Sequence, residues 1–326
     1  MINKIVIWGH ELHSHTHSYI HNAFYKAFKH MGYETYWLSD TEENSVKMDY
    51  KNTFFIIHGL VSKYVPENDS SVYLVHNTDC LNYNNKVSFS ENINQEEYKI
   101  HKGNVVSLQV YTKDCINRDI KDERYKNHYY LEPPYQCIYF PWATDLLPDE
   151  IDNNIKNIDS LPKTNEVNFI GMILGCWDGV KEYCKNTNLE FNHYGGTFDK
   201  NSELNKSPEE NEKIIQKSVV APSIQTEWQI QQNYIPCRIF KNISYGKMGV
   251  TNSSAVNELF DNKLVYSENV GELMDKALDF ETLTDKNLIV KELMREVRDN
   301  HTYRNRCNYI IEYFKKYLNV DFKTKN

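Results

Sequence analysis

Short apolar runs alternating with helix-period segments constrain the fold of this chain more than any other feature. Lys4–Trp8 (KIVIW) reads as a buried strand. A polar loop, Gly9–His17, leads to a helix opening at Ser18. Its apolar Ile20, Phe24, Phe28 and Met31 recur at three-to-four spacing, and Gly32 ends it. Glu34–Ser39, Thr53–Gly59, Ser71–His76, Val105–Tyr111 and Gln136–Phe140 follow as further strands. Strand, helix and strand at this spacing predict a parallel sheet of α/β type. Ligands of such sheets gather beyond the carboxyl ends of the strands. That rule marks the loop Gly9–His17, the His58-Gly59 end and His76-Asn-Thr-Asp79.

The chain has 326 residues, more than one hydrophobic core usually supports, so two domains are expected. Pro141–Asp145 closes the first half. The Asn- and Asp-rich stretch from there to about Glu166 reads as a linker. A second series then begins. Val167–Met172, Leu189–Tyr194, Val219–Ile224, Lys247–Val250 and Leu264–Tyr266 read as strands, and 178–185, 208–217, 236–245, 257–260 and 270–280 as helices. The tail from Asp285 to Leu318 is strongly helical. The expected class is α/β with two doubly wound, Rossmann-like domains, spanning 1–150 and 165–300. The segment 301–326 returns to the first domain.

The stretch Ile235–Ser254 carries the clearest chemistry. Pro236 suits a helix start, and Gly246 suits its left-handed stop. Arg238 and Lys241 share one face of the first turns, where the helix dipole disfavours cations. An anion such as a diphosphate resolves that conflict. Thr251, Asn252 and Ser253 form a turn of hydroxyls and backbone donors. Gly171 allows close approach of a ligand to the backbone, and Gln225 and Tyr234 fall near the same strand ends.

The loop GHELHSHTHSYIHN holds His10, His13, His15, His17 and His21. Three readings of it stand side by side: a metal cluster, histidines bonded within a loop, or a metal-free cleft in which a neutral imidazole acts as base or binds hydroxyls. The segment ELHSHT resembles the opening motif of PHP-type metallophosphoesterases, and Asp299-Asn-His301 resembles their late D-x-H. That likeness implies a metal site around His13 and His15.

The formal net charge of −8 argues against a nucleic-acid binder. Seven cysteines with no C-x-x-C pair suit free thiols in a reducing compartment. No apolar run is long enough to span a bilayer, so a soluble, cytoplasmic protein without a transmembrane segment is expected.

VNFIGM (167–172), PCRIFKNISYG (236–246), GVTNSSAVNELF (249–260) and HTYRNR (301–306) occur in order. Together they resemble the glycosyltransferases of GT-B fold, near the spore-maturation (CgeB-like) branch of the group 1 superfamily, over roughly residues 165–315. The first half matches in outline, through Tyr139–Asp145. The resemblance implies two domains facing across a cleft. It also implies transfer of a sugar from a nucleotide-diphosphate donor to a hydroxyl of a glycan or similar acceptor, with no metal cofactor. Arg238 and Lys241 would meet the leaving diphosphate. Gly171, Gln225, Tyr234, Thr251, Asn252 and Ser253 would complete the donor site. A base would come from His13, His15, His17 or Asp79. Retaining members carry paired glutamates, and here those positions are Asn233 and Lys241. A metallophosphoesterase using His13 and His15 and a non-catalytic nucleotide- or carbohydrate-binding protein are the alternatives.

Overall fold

The computed structural model describes residues 1–58, 63–76, 105–110, 130–131, 137–162, 164–199 and 201–325. Asp79, Gly59 and the ends of two expected strands, at Tyr111 and Gln136, lie outside the described residues. The chain divides into two units, 1–141 with 303–326, and 142–302.

The first unit is built on a seven-stranded sheet. Its strands are β1 (Lys4–Trp8), β2 (Thr35–Leu38), β3 (Thr53–His58), β4 (Val72–His76), β5 (Val105–Gln109), β6 (Tyr130–Leu131) and β7 (Cys137–Tyr139), in the order β2-β1-β3-β4-β5-β7-β6. All neighbours pair parallel except β6, which runs antiparallel to β7 at the edge. The strand order reverses between β1 and β3. The sequences KIVIW and TFFIIH form central strands because both faces are covered, so nearly every residue is apolar and buried. Helix α1 (Ser18–His30) buries Ile20, Ala23, Phe24, Ala27 and Phe28. A short helix α2 (Glu42–Ser45) follows, capped by the Thr41 hydroxyl. The C-terminal helix, Tyr303–Leu318, packs in the same unit, with Tyr303 against Phe24 and Phe314 against Phe54.

The second unit opens where the sequence suggested a linker. Pro148–Asn157 is helix α3, and Ile151 and Ile158 are buried in the core of this unit. Strands β8 (Glu166–Ile170) and β9 (Glu190–Tyr194) pair parallel, as do β10 (Val250–Thr251) and β11 (Val265–Tyr266). The segment expected as a strand over Val219–Ile224 makes only two bridges, Val220 to Val167 and Ser223 to Thr251. Pro222 interrupts it and supplies no N–H for a ladder. These bridges still place 220–223 between β8 and β10, giving the order β9, β8, 220–223, β10, β11. Both units therefore wind the same way.

Around this sheet stand α4 (Asp178–Asn186), α5 (Pro208–Lys217), α6 (Glu227–Gln231), α7 (Cys237–Ser244), α8 (Ser254–Leu259), α9 (Val270–Glu281) and α10 (Lys286–Asn300). The helical tail breaks at His301-Thr302, where Thr302 forms a parallel bridge with Thr144 and the Thr144 N–H donates to the His301 carbonyl at 3.1 Å, before α11 (Tyr303–Leu318) begins. Among the described residues no helix is long and apolar enough to cross a membrane.

Candidate donor site and histidine cluster

Arg238 lies in the first turn of α7, two residues after Pro236. Its guanidinium sits over the Phe169 ring at 4.4 Å and near Trp177 at 5.8 Å. Phe169 belongs to β8, and Trp177 packs on it at 3.8 Å between centroids. An aromatic floor of this kind holds a guanidinium plane and leaves its N–H fork available. Nε of Arg238 is buried without a hydrogen-bond partner. Among the described residues no carboxylate pairs with the group. Burial lowers its pKa, although arginine keeps its proton. A cation so placed favours an incoming anion.

Backbone closes in beside it. Gly171 has φ +137°, and a Cβ there would stand 3.0 Å from Nη2 of Arg238. Gly195 and Gly196, just past β9, also have positive φ. A Cβ on Gly196 would meet the Gly171 carbonyl at 2.6 Å. His193 donates from Nε2 to that carbonyl at 2.6 Å, and its ring stacks on Phe169. The result is a floor of glycine backbone next to an unpaired arginine.

The strand ends on the other side form a bonded net. The Gln225 N–H donates to Asn252 Oδ1 at 2.9 Å, and Asn252 Nδ2 donates back to the Gln225 carbonyl at 3.0 Å. Nε2 of Gln225 donates to the Tyr234 carbonyl at 2.7 Å, while Tyr234 acts electrostatically on Arg238. The Ser253 N–H donates to Thr251 Oγ1. Three acceptor-capable atoms here, Ser223 Oγ, Gln225 Oε1 and Ser253 Oγ, are buried without a partner. Buried polar atoms rarely stay unpaired without a reason. A ligand rich in oxygen and N–H groups supplies one.

Lys241 does something different from its expected part. Its Nζ pairs with Asp145 at 2.7 Å, and the Tyr245 hydroxyl donates to the same carboxylate at 2.7 Å. The charge expected beside Arg238 is thus matched within the protein.

In the first unit the histidine loop meets two further imidazoles, His58 and His76, from the ends of β3 and β4. His10 Nε2 lies 3.0 Å from His58 Nδ1, and His21 Nε2 lies 2.8 Å from His76 Nε2. His21 Nδ1 donates to the Gly9 carbonyl. His10 and His15 stack at 4.3 Å, and His17 lies 4.6 Å from the His58 ring. Burial, and then neighbouring histidines, push His10 down to about 4, His17 to about 3 and His58 to about 2. Burial also lowers His15, drives His21 to about 3 and takes His76 well below the usual value. All six rings are therefore neutral near pH 7.

His13 stands apart from this group, with Nδ1 3.0 Å from the Tyr19 hydroxyl. The D-x-H at 299–301 belongs to the second unit, where His301 is buried and stacks on Phe240 at 4.7 Å. Arg306, from the HTYRNR motif, is fully buried and donates to the Pro141 carbonyl at 2.9 Å. That motif builds structure.

Sequence reasoning missed His193, Phe169 and Trp177 as the surroundings of Arg238. Phe169 and Trp177 read as ordinary core aromatics, and only the cation above them marks their use. Asp145 was within the motif Tyr139–Asp145, yet nothing local linked it to Lys241.

No protein-family model matches this chain, and no curated protein sequence matches it. Solved structures do. An alpha-glucosyltransferase solved in complex with UDP superposes with a TM-score of 0.60 at 11% identity, covering 96% of this chain and 98% of that one. The T4 phage beta-glucosyltransferase superposes at 0.52 with 15% identity, over 97% of this chain and 100% of that one. A beta-glucosyltransferase described as a DNA-modifying enzyme gives 0.51 at 14% identity, over 97% and 100%. The fold is that of the GT-B glycosyltransferases.

Proposed function

We propose that this chain is a glycosyltransferase that moves a sugar from a nucleoside-diphosphate donor, UDP-sugar in the first instance, to a hydroxyl acceptor. The observation that carries the reading is Arg238: a half-buried guanidinium whose Nε has no partner, stacked on Phe169 of β8 and beside glycine backbone. Fold neighbours solved with UDP make uridine the first nucleotide to test.

The acceptor oxygen attacks the anomeric carbon, the bond from that carbon to the diphosphate breaks, and the acceptor proton passes to a base. Arg238 meets the charge growing on the departing diphosphate with two N–H groups. The turns at Gly171 and Gly195-Gly196 let backbone approach the phosphates. Ser253, with Thr251 and Asn252, donates to the same oxygens, and Gln225 and the Tyr234 segment receive the nucleoside. Lys241 acts as a positioning residue, holding α7 through Asp145. The base comes from the histidine loop, from His13, His15 or His17; Asp79 is a further candidate. Arg238 offsets part of the diphosphate charge and the glycine-backbone N–H groups meet more of it, so UDP binding should need no metal.

One fold neighbour acts on DNA by its description. The net charge of −8 lacks the basic footprint that a polyanion requires, so a glycan or other non-nucleic-acid hydroxyl is the proposed acceptor. Duplex DNA belongs in the acceptor panel as the opposing case.

The deciding experiment measures UDP binding and UDP-sugar turnover in wild type, Arg238→Ala and Arg238→Lys, with and without EDTA. Losing this donor should reduce turnover by about 100- to 1000-fold and weaken UDP binding. The lysine variant should restore little, since it lacks the planar fork. UDP binding should be indifferent to EDTA. Wild-type turnover in a folded Arg238→Ala protein would refute the assignment.

A further inference from the structure

The six-imidazole cluster of the first unit is not explained by donor binding. A neutral imidazole offers one donor and one acceptor, and burying three of them, His21, His58 and His76, with three more half-buried beside them, displaces hydrocarbon that would pack a core at lower desolvation cost. Their position is specific. His10 follows β1, His17 leads into α1, and His58 ends β3, so the group lies at the carboxyl ends of the two strands between which the sheet order reverses. Open α/β sheets bind ligands at that point.

We infer that His10, His17 and His58 together bind one divalent late transition-metal ion. One ring nitrogen from each lies within 4.8 Å of the others. Two nitrogens bound to one ion at about 2.0–2.1 Å stand roughly 3.0–3.4 Å apart, and His10 Nε2 and His58 Nδ1 already stand at 3.0 Å. The His17 nitrogen, within 4.8 Å of the other two, closes on the pair when the ion binds. His15 stacks on His10 at 4.3 Å and accepts the His17 N–H on its Nδ1 at 3.2 Å, fixing two of the three ligands. The bonded pair His21–His76 backs the group, with ring centroids 5.4 Å from His10 and 5.0 Å from His58 respectively.

The donor set selects the metal. Imidazole nitrogen suits zinc, cobalt, nickel and copper, whereas magnesium and calcium require oxygen ligands. Three protein ligands leave a coordination position for water or a hydroxyl group. This inference does not depend on the transferase reading, because the site lies wholly within the first unit.

The test uses the full chain, free of any histidine tag, stripped with chelator and titrated with CoCl2 and ZnSO4. We expect a single ion per chain, with the intense visible bands of low-coordinate Co2+, and no response to MgCl2. His58→Ala and His17→Ala should abolish the bands, while His30→Ala, at an exposed histidine of α1, should keep them. Absence of those bands in the wild type, or bands that survive both cluster substitutions, overturns the inference. Should a substitution unfold the unit, the wild-type titration decides alone. UDP binding in the second unit is measured on the same samples, so loss of one site is distinguishable from loss of the other.

Discussion

Lys241 shows how one residue type supports two opposite readings. From the sequence it adds a second cation to an anion site; in the fold its ammonium reaches Asp145, and the Tyr245 hydroxyl donates to the same carboxylate. The lysine and aspartate side chains are only 20% and 12% exposed, so the pair is sensitive to loss of one member. Lys241→Met should destabilise the chain by about 1–3 kcal/mol, since it leaves a largely buried carboxylate without its cation. Lys241→Met combined with Asp145→Leu should recover most of that loss, and UDP should bind the double variant as it binds wild type. Urea unfolding and UDP titration read both outcomes. A folded double variant that no longer binds UDP would show that Lys241 touches the ligand. Arg238 was legible because a proline start, a first-turn cation and a glycine stop are local signals. The partner of Lys241 lies 96 positions away, and His58 lies 48 positions from His10. The topology rule had marked the loops holding His10, His58 and His76. It gave no means of choosing which rings meet.

At the scale of elements, α7 sets the angle at which Arg238 reaches Phe169. Its apolar Ile239, Phe240 and Ile243 anchor it in the core of the second unit. Gly246 terminates it at φ +96°; the Gly246 N–H donates to the Ile243 carbonyl and the Lys247 N–H to that of Asn242. Gly246→Ala should lower stability by about 1–2 kcal/mol, because a Cβ is disfavoured in left-handed backbone. The same Cβ would stand 3.0 Å from Leu161 Cδ1, a flexible end able to yield. UDP affinity should survive, since the change falls at the far end of the helix from Arg238. A large loss of affinity with stability intact would mean that the helix end, and not its start, meets the ligand. Strands β1, β3 and β4 were readable as unbroken apolar runs. Helix α3 was not: Ile151, Ile155 and Ile158 hold its inner face at four-and-three spacing, hidden in a stretch whose Asn and Asp content reads as linker. Strand β6 was missed as well, being a two-residue edge.

At the scale of the whole molecule, two units wound in the same order each gather polar side chains at the carboxyl ends of their strands. One gathers an unpaired arginine and orphan oxygens, the other neutral imidazoles. The two chemistries differ enough that each unit should answer to its own ligand. Hydrogen exchange measures this directly. UDP at about a hundred times its dissociation constant stabilises the state that binds it by about 2.7 kcal/mol, equivalent to roughly a hundredfold slower exchange where opening releases the ligand. That protection should fall on 169–174, on 223–226, on 237–239 and on 251–254, where the glycine floor, the Gln225–Asn252 net and the start of α7 converge. Amides of residues 10–18 should slow on addition of Co2+ and stay unchanged with UDP. Protection of the histidine loop by UDP alone, with no change around Arg238, would put the nucleotide on the first sheet. The anion-seeking arginine would then need another partner.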